Sequence, residues 1–496
     1  MLEAILITLL HFSILSYVIW RHPFFQLRGI PNHWSLVGFW IKILGGSSLT
    51  AIYTFYYTDR STADIYKYFD DAKVIYHSVY TNPIDFLKMM SGIGNDSDYF
   101  NQNYYNRMNH WYRQYSAYYN DNHTIIRWNV LIMFLSKGHF MPHTLYMSFV
   151  STIGLIATYR AFETMEPNKN YFILLFITPS LAFWGSGVLK EGLVIFGIGG
   201  LFWSLRAWLN QGRTTYFTLV FTCSIFILAL TKYYLLAILL PGVIASFMCM
   251  QFRWFKPAYL FIALYFVALL FFFFLGKISP ALDPAANLAH KQSDFIKLAK
   301  GGMYIQISDN QGIDTLFVSS QEYGRIIQQK DKVQIKQVFQ VQRYSQKKLS
   351  KPFKNPYLNS DIQGRVLLDN GVTRSKIEIP ELKPDWQSYF KAIPDAYFNV
   401  FLQPISPGKN PLYWMAFLEN MFVLLCIGYS LFKFQLFKGL FQSPIQLLAL
   451  FFVLGSLLLI GLTTPVIGAL VRYKIPALPL LFGLTIRTKG LECKLE

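Results

Sequence analysis

Residues 63–78, ADIYKYFDDAKVIYHS, gather three aspartates, four aromatic residues, two lysines and a histidine into sixteen positions. On a helix Asp64, Tyr68 and Asp71 share one face, at i, i+4 and i+7, while Asp70, Lys73 and His77 share another. Carboxylates held in this way at the edge of a bilayer suit general-base work on a lipid-carried substrate whose head group lies in the same layer. Asp64, Asp70 and Asp71 are the candidate bases, with Tyr68 and His77 in support. The same pattern also describes an amphipathic helix lying on the membrane, with tyrosines at headgroup level and charges in water.

A second constellation is cationic. FWGSGVLKEG places Lys190 and Glu191 at a tight turn between two apolar stretches, and ALTKYYLL places Lys232, Tyr233 and Tyr234 at another. Glu419 lies about two turns into the apolar run that begins PLYWMAFLENMF, and TTPVIGALVRYKIPALP carries Arg472 and Lys474 between prolines. An ionisable side chain at membrane depth costs at least ~2.5 kcal/mol, so such groups face a cavity or pair with one another. One reading is structural, with Glu419 paired to Arg472 or Lys190. The other is a site in which Lys190, Lys232, Arg472 and Lys474 converge on a phosphate or diphosphate, supported by Glu191 and Glu419.

These residues need a scaffold, and composition names it. The chain has 496 residues, 53% hydrophobic, 18% aromatic and only 15% charged, against about 25% charged in soluble domains. Apolar blocks of membrane-spanning length predict an all-α polytopic membrane protein with about eleven transmembrane helices. They fall near 3–20, 41–57, 142–160, 170–186, 191–208, 215–231, 233–250, 257–275, 411–432, 443–461 and 469–486. The first block has Glu3 in place of a basic n-region and is followed by Arg21, which suits a retained span with its amino end outside. Arg21, Arg28, Lys42, Arg160, Lys169, Arg206, Arg213 and the cations of the last loops and tail then sort to one side, the cytoplasm. The carboxyl end is expected there too. The net charge of +18 is in part this topology, and nucleic-acid binding is not indicated. Four scattered cysteines offer no disulfide or metal framework.

The expected organisation is two spans (1–57), an acidic, tyrosine-rich outer loop (58–140), a six-helix block (141–275), an outer insert (276–400) and three closing spans with a short tail (401–496). Within the first loop TIIRWNVLIMFLSKG is too short to span and reads as an interfacial or re-entrant helix. In the insert YIQIS and TLFVSS flank DNQG, KVQIKQVFQVQRY alternates, and RVLLDNGVTRSKIEI centres on DNG, all hairpin signals. The insert carries eighteen Lys and Arg against twelve Asp and Glu, which suits an acidic partner, a glycan or an envelope protein.

No P-loop, GxGxxG, HExxH or GxSxG occurs. No cofactor is called for; the single DxD, at Asp96 and Asp98, leaves a divalent metal open. With DIYKYFDD in the first outer loop, PSLAFWGSGVLKEG at 179–192 and GALVRYKIPALP at 468–479, the plan resembles the GT-C class of polyprenyl-phosphate-sugar glycosyltransferases and bacterial surface-polysaccharide polymerases. That resemblance implies a GT-C-like bundle in the bacterial cytoplasmic membrane, with one aspartate of DIYKYFDD as base. It also implies a polyprenyl-linked sugar donor and a glycan acceptor as partners. Two other classes stay open: a lipid-linked glycan transporter, and a non-catalytic subunit of an envelope complex that docks through 276–400.

Overall fold

A computed structural model describes residues 2–57, 60, 63–111, 121–163, 167–252, 255–278, 283–309, 312–329, 332–344, 357–358, 363–371, 373, 375–406, 411–433 and 440–486. The tyrosine-dense run 112–120, and the tail with Arg487, Lys489, Cys493 and Lys494, lie outside them. The chain forms two compact units, one of Met1–Leu264, Gly408–Ser456 and Lys474–Glu496, the other of Tyr265–Pro407 and Leu457–Tyr473.

In the first unit the helices run α1 (Leu2–Arg21), α2 (Asn32–Ala51, continued by a π turn to Tyr56), α3 (Asp64–Thr81), α4 (Pro83–Ser91), α5 (Asp98–Asn103), α6 (Asn122–Ser136), α7 (Phe140–Ala161), α8 (Lys169–Ile177), α9 (Pro179–Phe183), α10 (Lys190–Gln211) and α11 (Thr215–Gln251). α12 (Pro257–Ile278) leads to the second unit. Among the described residues eight helices are long and apolar enough to cross a membrane, and a broken pair, Ile467–Lys474 and Leu478–Thr485, would make a ninth. The chain is a helical membrane protein. Leu2, Leu6, Leu9 and Leu10 on α1, and Phe266, Phe271 and Phe274 on α12, are exposed, as side chains facing lipid are.

The breaks follow from local chemistry. The expected span 170–186 is divided into α8 and α9 because Pro179 has no N–H to give the helix, and Thr178 before it takes an extended ψ of 119°. α2 starts nine residues earlier than the apolar pattern suggests, directly after Pro31. This moves Lys42 from the cytoplasmic rim, where its charge had placed it, to a fully buried position inside the helix. α11 is nominally 37 residues long, but Lys232 interrupts it with φ −143° and ψ 73°. Phe221 and Phe247 nonetheless have ring centroids 5.8 Å apart, and both pack on Trp208. A straight helix would separate them by about 39 Å, so the chain doubles back at Lys232, the turn that ALTKYYLL suggested.

α7 and α10 are held at backbone distance by glycine. A Cβ on Gly154 would lie 2.6 Å from the Ile195 carbonyl, and one on Gly199 would overlap the Gly154 carbonyl oxygen. Small residues that admit such an approach are the usual adhesive between membrane helices. Helices α3 to α6 share a core that includes Ile65, Phe69, Ile75, Met89, Phe100, Trp111, Ile125 and Val130. α6, 15 residues long, reaches about 22 Å and is the short helix that its sequence predicts.

The second unit contains α13 (Pro284–Lys300), β1 (Gly302–Asp309), β2 (Gly312–Ser319), β3 (Ile326–Gln329), β4 (Lys332–Ile335), β5 (Phe339–Gln340), β6 (Gln342–Tyr344), β7 (Tyr357–Leu358), β8 (Gln363–Asn370) and α14 (Trp386–Leu402). Its main sheet has the order β3-β4-β8-β1-β2-β6. β1 and β2 pair antiparallel from Gly302↔Ser319 to Asp309↔Gly312, as the DNQG signal implies. The DNG signal resolves differently: β8 pairs with β1 and β4, and Lys376 bridges instead to Val466. Long-range pairing to a ready-made eight-residue strand has displaced the local turn. Buried Gln292 ties the helices to this region, donating to the carbonyls of Pro380 (2.9 Å) and Leu462 (2.6 Å) and accepting from Leu382 N (2.8 Å). The remaining helices are α15 (Pro411–Phe432), α16 (Pro444–Thr463), α17 (Ile467–Lys474) and α18 (Leu478–Thr485).

Candidate functional site

The three aspartates of DIYKYFDD have three different environments. Asp71 is fully buried and accepts hydrogen bonds from Asn109 N (2.6 Å), the Asn109 side-chain amide (2.9 Å) and His110 N (2.7 Å). Burial pushes its carboxyl above the ordinary carboxylate range, while those hydrogen bonds and the nearby His110 pull it back. Asp70 is held by Arg60 in a two-point pair, Nη2–Oδ1 at 2.7 Å and Nε–Oδ2 at 3.0 Å, and the guanidinium also covers the Tyr66 ring. Asp64, the first residue of α3, keeps 36% of its side chain exposed and stands 3.4 Å from His110 Nε2.

These positions form one device. The face that sequence spacing gave to Asp64, Tyr68 and Asp71 is the face on which His110 sits. Asp71 fixes the His110 backbone, the Tyr68 ring packs on the imidazole at 5.0 Å, and Asp64 meets Nε2. Tyr68 carries the arrangement onward, because its hydroxyl donates to Asn122 Oδ1 at 3.0 Å. Lys190 Nζ reaches the same oxygen at 2.9 Å and Asp121 Oδ2 at 2.7 Å. Three helix starts, those of α3, α6 and α10, therefore converge.

The hairpin tip joins them. Thr124 Oγ1 donates to the Leu230 carbonyl at 2.6 Å, and Lys232 Nζ lies 3.3 Å from Glu191 Oε1, both side chains being buried. A lysine at the first position of a 22-residue helix opposes the macrodipole. Asp121 and Glu191 offset that cost, and an anionic ligand would offset it as well. Nearby in sequence, Trp111 stacks on His123 at 3.8 Å, and Arg127 lies over the Trp111 ring with its Nε donating to the Met89 carbonyl.

Other candidates fall elsewhere. Glu419 accepts from Ser180 N (2.8 Å) and Ser180 Oγ (2.7 Å), so it caps α9 instead of pairing with Lys190. Lys474 donates to Asn420 Oδ1 at 2.5 Å. Arg472 belongs to the second unit. His77 is exposed on the far side of α3, near Tyr76. Tyr233, exposed, and Tyr234, half-buried, follow the hairpin tip with rings 6.3 Å apart. Sequence reasoning missed His110, Asp121 and Asn122. His110 had no partner at metal or catalytic spacing, and nothing local announces a histidine that meets a carboxylate 46 positions earlier.

Asp64 and His110 supply a proton acceptor whose imidazole is oriented by buried groups, and Lys190 and Lys232 supply cations at adjoining helix ends. Among the described residues no group of three or more His, Cys, Asp or Glu side chains is arranged to hold a metal ion. No protein-family model, curated protein or solved structure matches the chain.

Proposed function

We propose that the protein is a glycosyltransferase or polymerase of the bacterial cytoplasmic membrane, acting on polyprenyl-phosphate-linked sugars at the outer face to assemble surface polysaccharide or a related glycoconjugate. The amino end lies outside and the carboxyl end in the cytoplasm. The observation that carries this reading is the meeting of the Asp64–His110 pair with Lys190, across Tyr68 and Asn122, at the starts of three helices. Asp64 removes the proton of the acceptor hydroxyl as its oxygen bonds to the anomeric carbon, and the bond from that carbon to the phosphate oxygen breaks. Lys190 and Lys232 stabilise the charge that develops on the departing polyprenyl phosphate or diphosphate. The exposed Tyr233 offers a ring face and a hydroxyl suited to sugar.

The test is a surface-glycan profile on a gel that resolves polymer length. A strain lacking the protein is complemented with wild type, Asp64→Asn or His77→Ala. A collapsed ladder restored by wild type and His77→Ala, but not by Asp64→Asn present at equal level, supports the reading. An unchanged ladder in the deletion strain overturns it and favours a transporter or an envelope subunit.

A further inference from the structure

Away from this site, α2 buries a lysine inside the bundle. Lys42 is completely inaccessible, and its Nζ donates to the Leu181 carbonyl at 2.6 Å. Among the described residues it has no carboxylate partner. The carboxylate that meets the same short helix, Glu419 of α15, is taken by Ser180 at the start of α9. A buried ammonium with only a carbonyl for company leaves a full charge uncompensated, the most costly arrangement that a membrane interior offers.

The surroundings supply more donors. Thr144, Ser148 and Ser151 on α7, and Ser186 between α9 and α10, are fully buried, and their hydroxyl oxygens have no hydrogen-bond partner among the described residues. This is not the habit of hydroxyls elsewhere in these helices: Thr152, Thr158 and Ser204 each bond to the carbonyl four residues back, at 2.8 Å.

Register brings the groups together. Phe39 of α2 meets Phe149 of α7 with ring centroids at 6.2 Å. Seven residues further along α2, a Cβ on Gly46 would touch both Thr144 Cγ2 and the Ser186 carbonyl at 2.7 Å. The helices are therefore antiparallel, and this register sets Lys42 opposite the turn of α7 that carries Ser148. Thr144, Ser148 and Ser151 share one α7 face by their spacing. A Cβ on Gly185 would lie 2.9 Å from Lys42 Nζ, so the residue before Ser186 is bare where the ammonium arrives.

We propose that Lys42, Ser186, Thr144 and Ser148 form a buried site for a small monovalent anion such as chloride. Two ammonium protons beyond the one given to Leu181, together with the hydroxyl protons, match an acceptor-only ligand, and one negative charge balances Lys42. A cation would be repelled by the ammonium, and a divalent anion would leave excess charge in the bundle. Ser186 precedes Lys190 by four residues, so the ion braces the segment that delivers Lys190 and Glu191.

The experiment measures the unfolding temperature of the detergent-solubilised full chain in chloride, bromide and gluconate at matched ionic strength. The expected result is a saturable rise of about 2 °C or more in either halide, absent in Lys42→Met. A bromide anomalous peak beside Lys42 Nζ would give the position directly. Equal temperatures in halide and gluconate, or a halide shift that survives Lys42→Met, overturn the proposal. If Lys42→Met does not fold, the Ser148→Ala/Ser186→Ala variant decides. It should need at least about tenfold more halide for half the shift, and an unchanged requirement refutes the site.

Discussion

Replacing Asp71 by asparagine separates support from chemistry. Asp71 accepts three hydrogen bonds at 2.6–2.9 Å while fully buried. The best placement of the amide keeps its oxygen on the two Asn109 donors, which turns two charge-assisted bonds into neutral ones at a loss of roughly 1 kcal/mol each. The new NH2 then faces His110 N–H, leaving a buried donor unsatisfied at about 1–3 kcal/mol. Relief of the burial that raises the Asp71 carboxyl returns part of this. The net loss is about 2–4 kcal/mol, centred on residues 108–111. Asp71→Asn should therefore unfold several degrees below wild type, and protease should cut near 108–111 sooner. Its activity should fall because His110 no longer stands against Asp64. Thermal unfolding in detergent and limited proteolysis read this out, beside the glycan ladder. A variant as stable and protease-resistant as wild type yet inactive would refute the argument and place Asp71 at the chemistry itself.

Other outcomes follow from the same packing. Lys232→Met should destabilise by about 3–5 kcal/mol, because it removes a buried cation that stands against the fully buried Glu191 carboxylate. The Lys232→Met/Glu191→Gln double variant should recover most of that loss, and thermal unfolding of the three variants gives the coupling. Gly199→Val should prevent stable assembly, since even a Cβ there overlaps the Gly154 carbonyl, whereas Gly428→Ala inside α15, with nothing within 4 Å of its Cβ position, should melt no lower than wild type, because alanine favours a helix interior over glycine.

Composition and apolar block length determined that this is a helical membrane protein, because the hydrocarbon layer demands about twenty apolar residues per crossing and admits few charges. Helical spacing determined that Asp64, Tyr68 and Asp71 share a face, since a 3.6-residue period is local. Turn chemistry placed the β1–β2 hairpin and the reversal at Lys232, which depend on neighbouring residues alone. Tertiary structure decided the rest. It made Asp71 a bracket for 109–110, gave Asp70 to Arg60, and left Asp64 facing His110, because burial and partner choice depend on segments dozens of positions away. It also moved Lys42 from the rim to the interior and set Glu419 on α9, because a helix start after Pro31 and a break at Pro179 change which residues lie at the same depth. A side chain's type limits its chemistry; its neighbours across the fold determine which chemistry it performs.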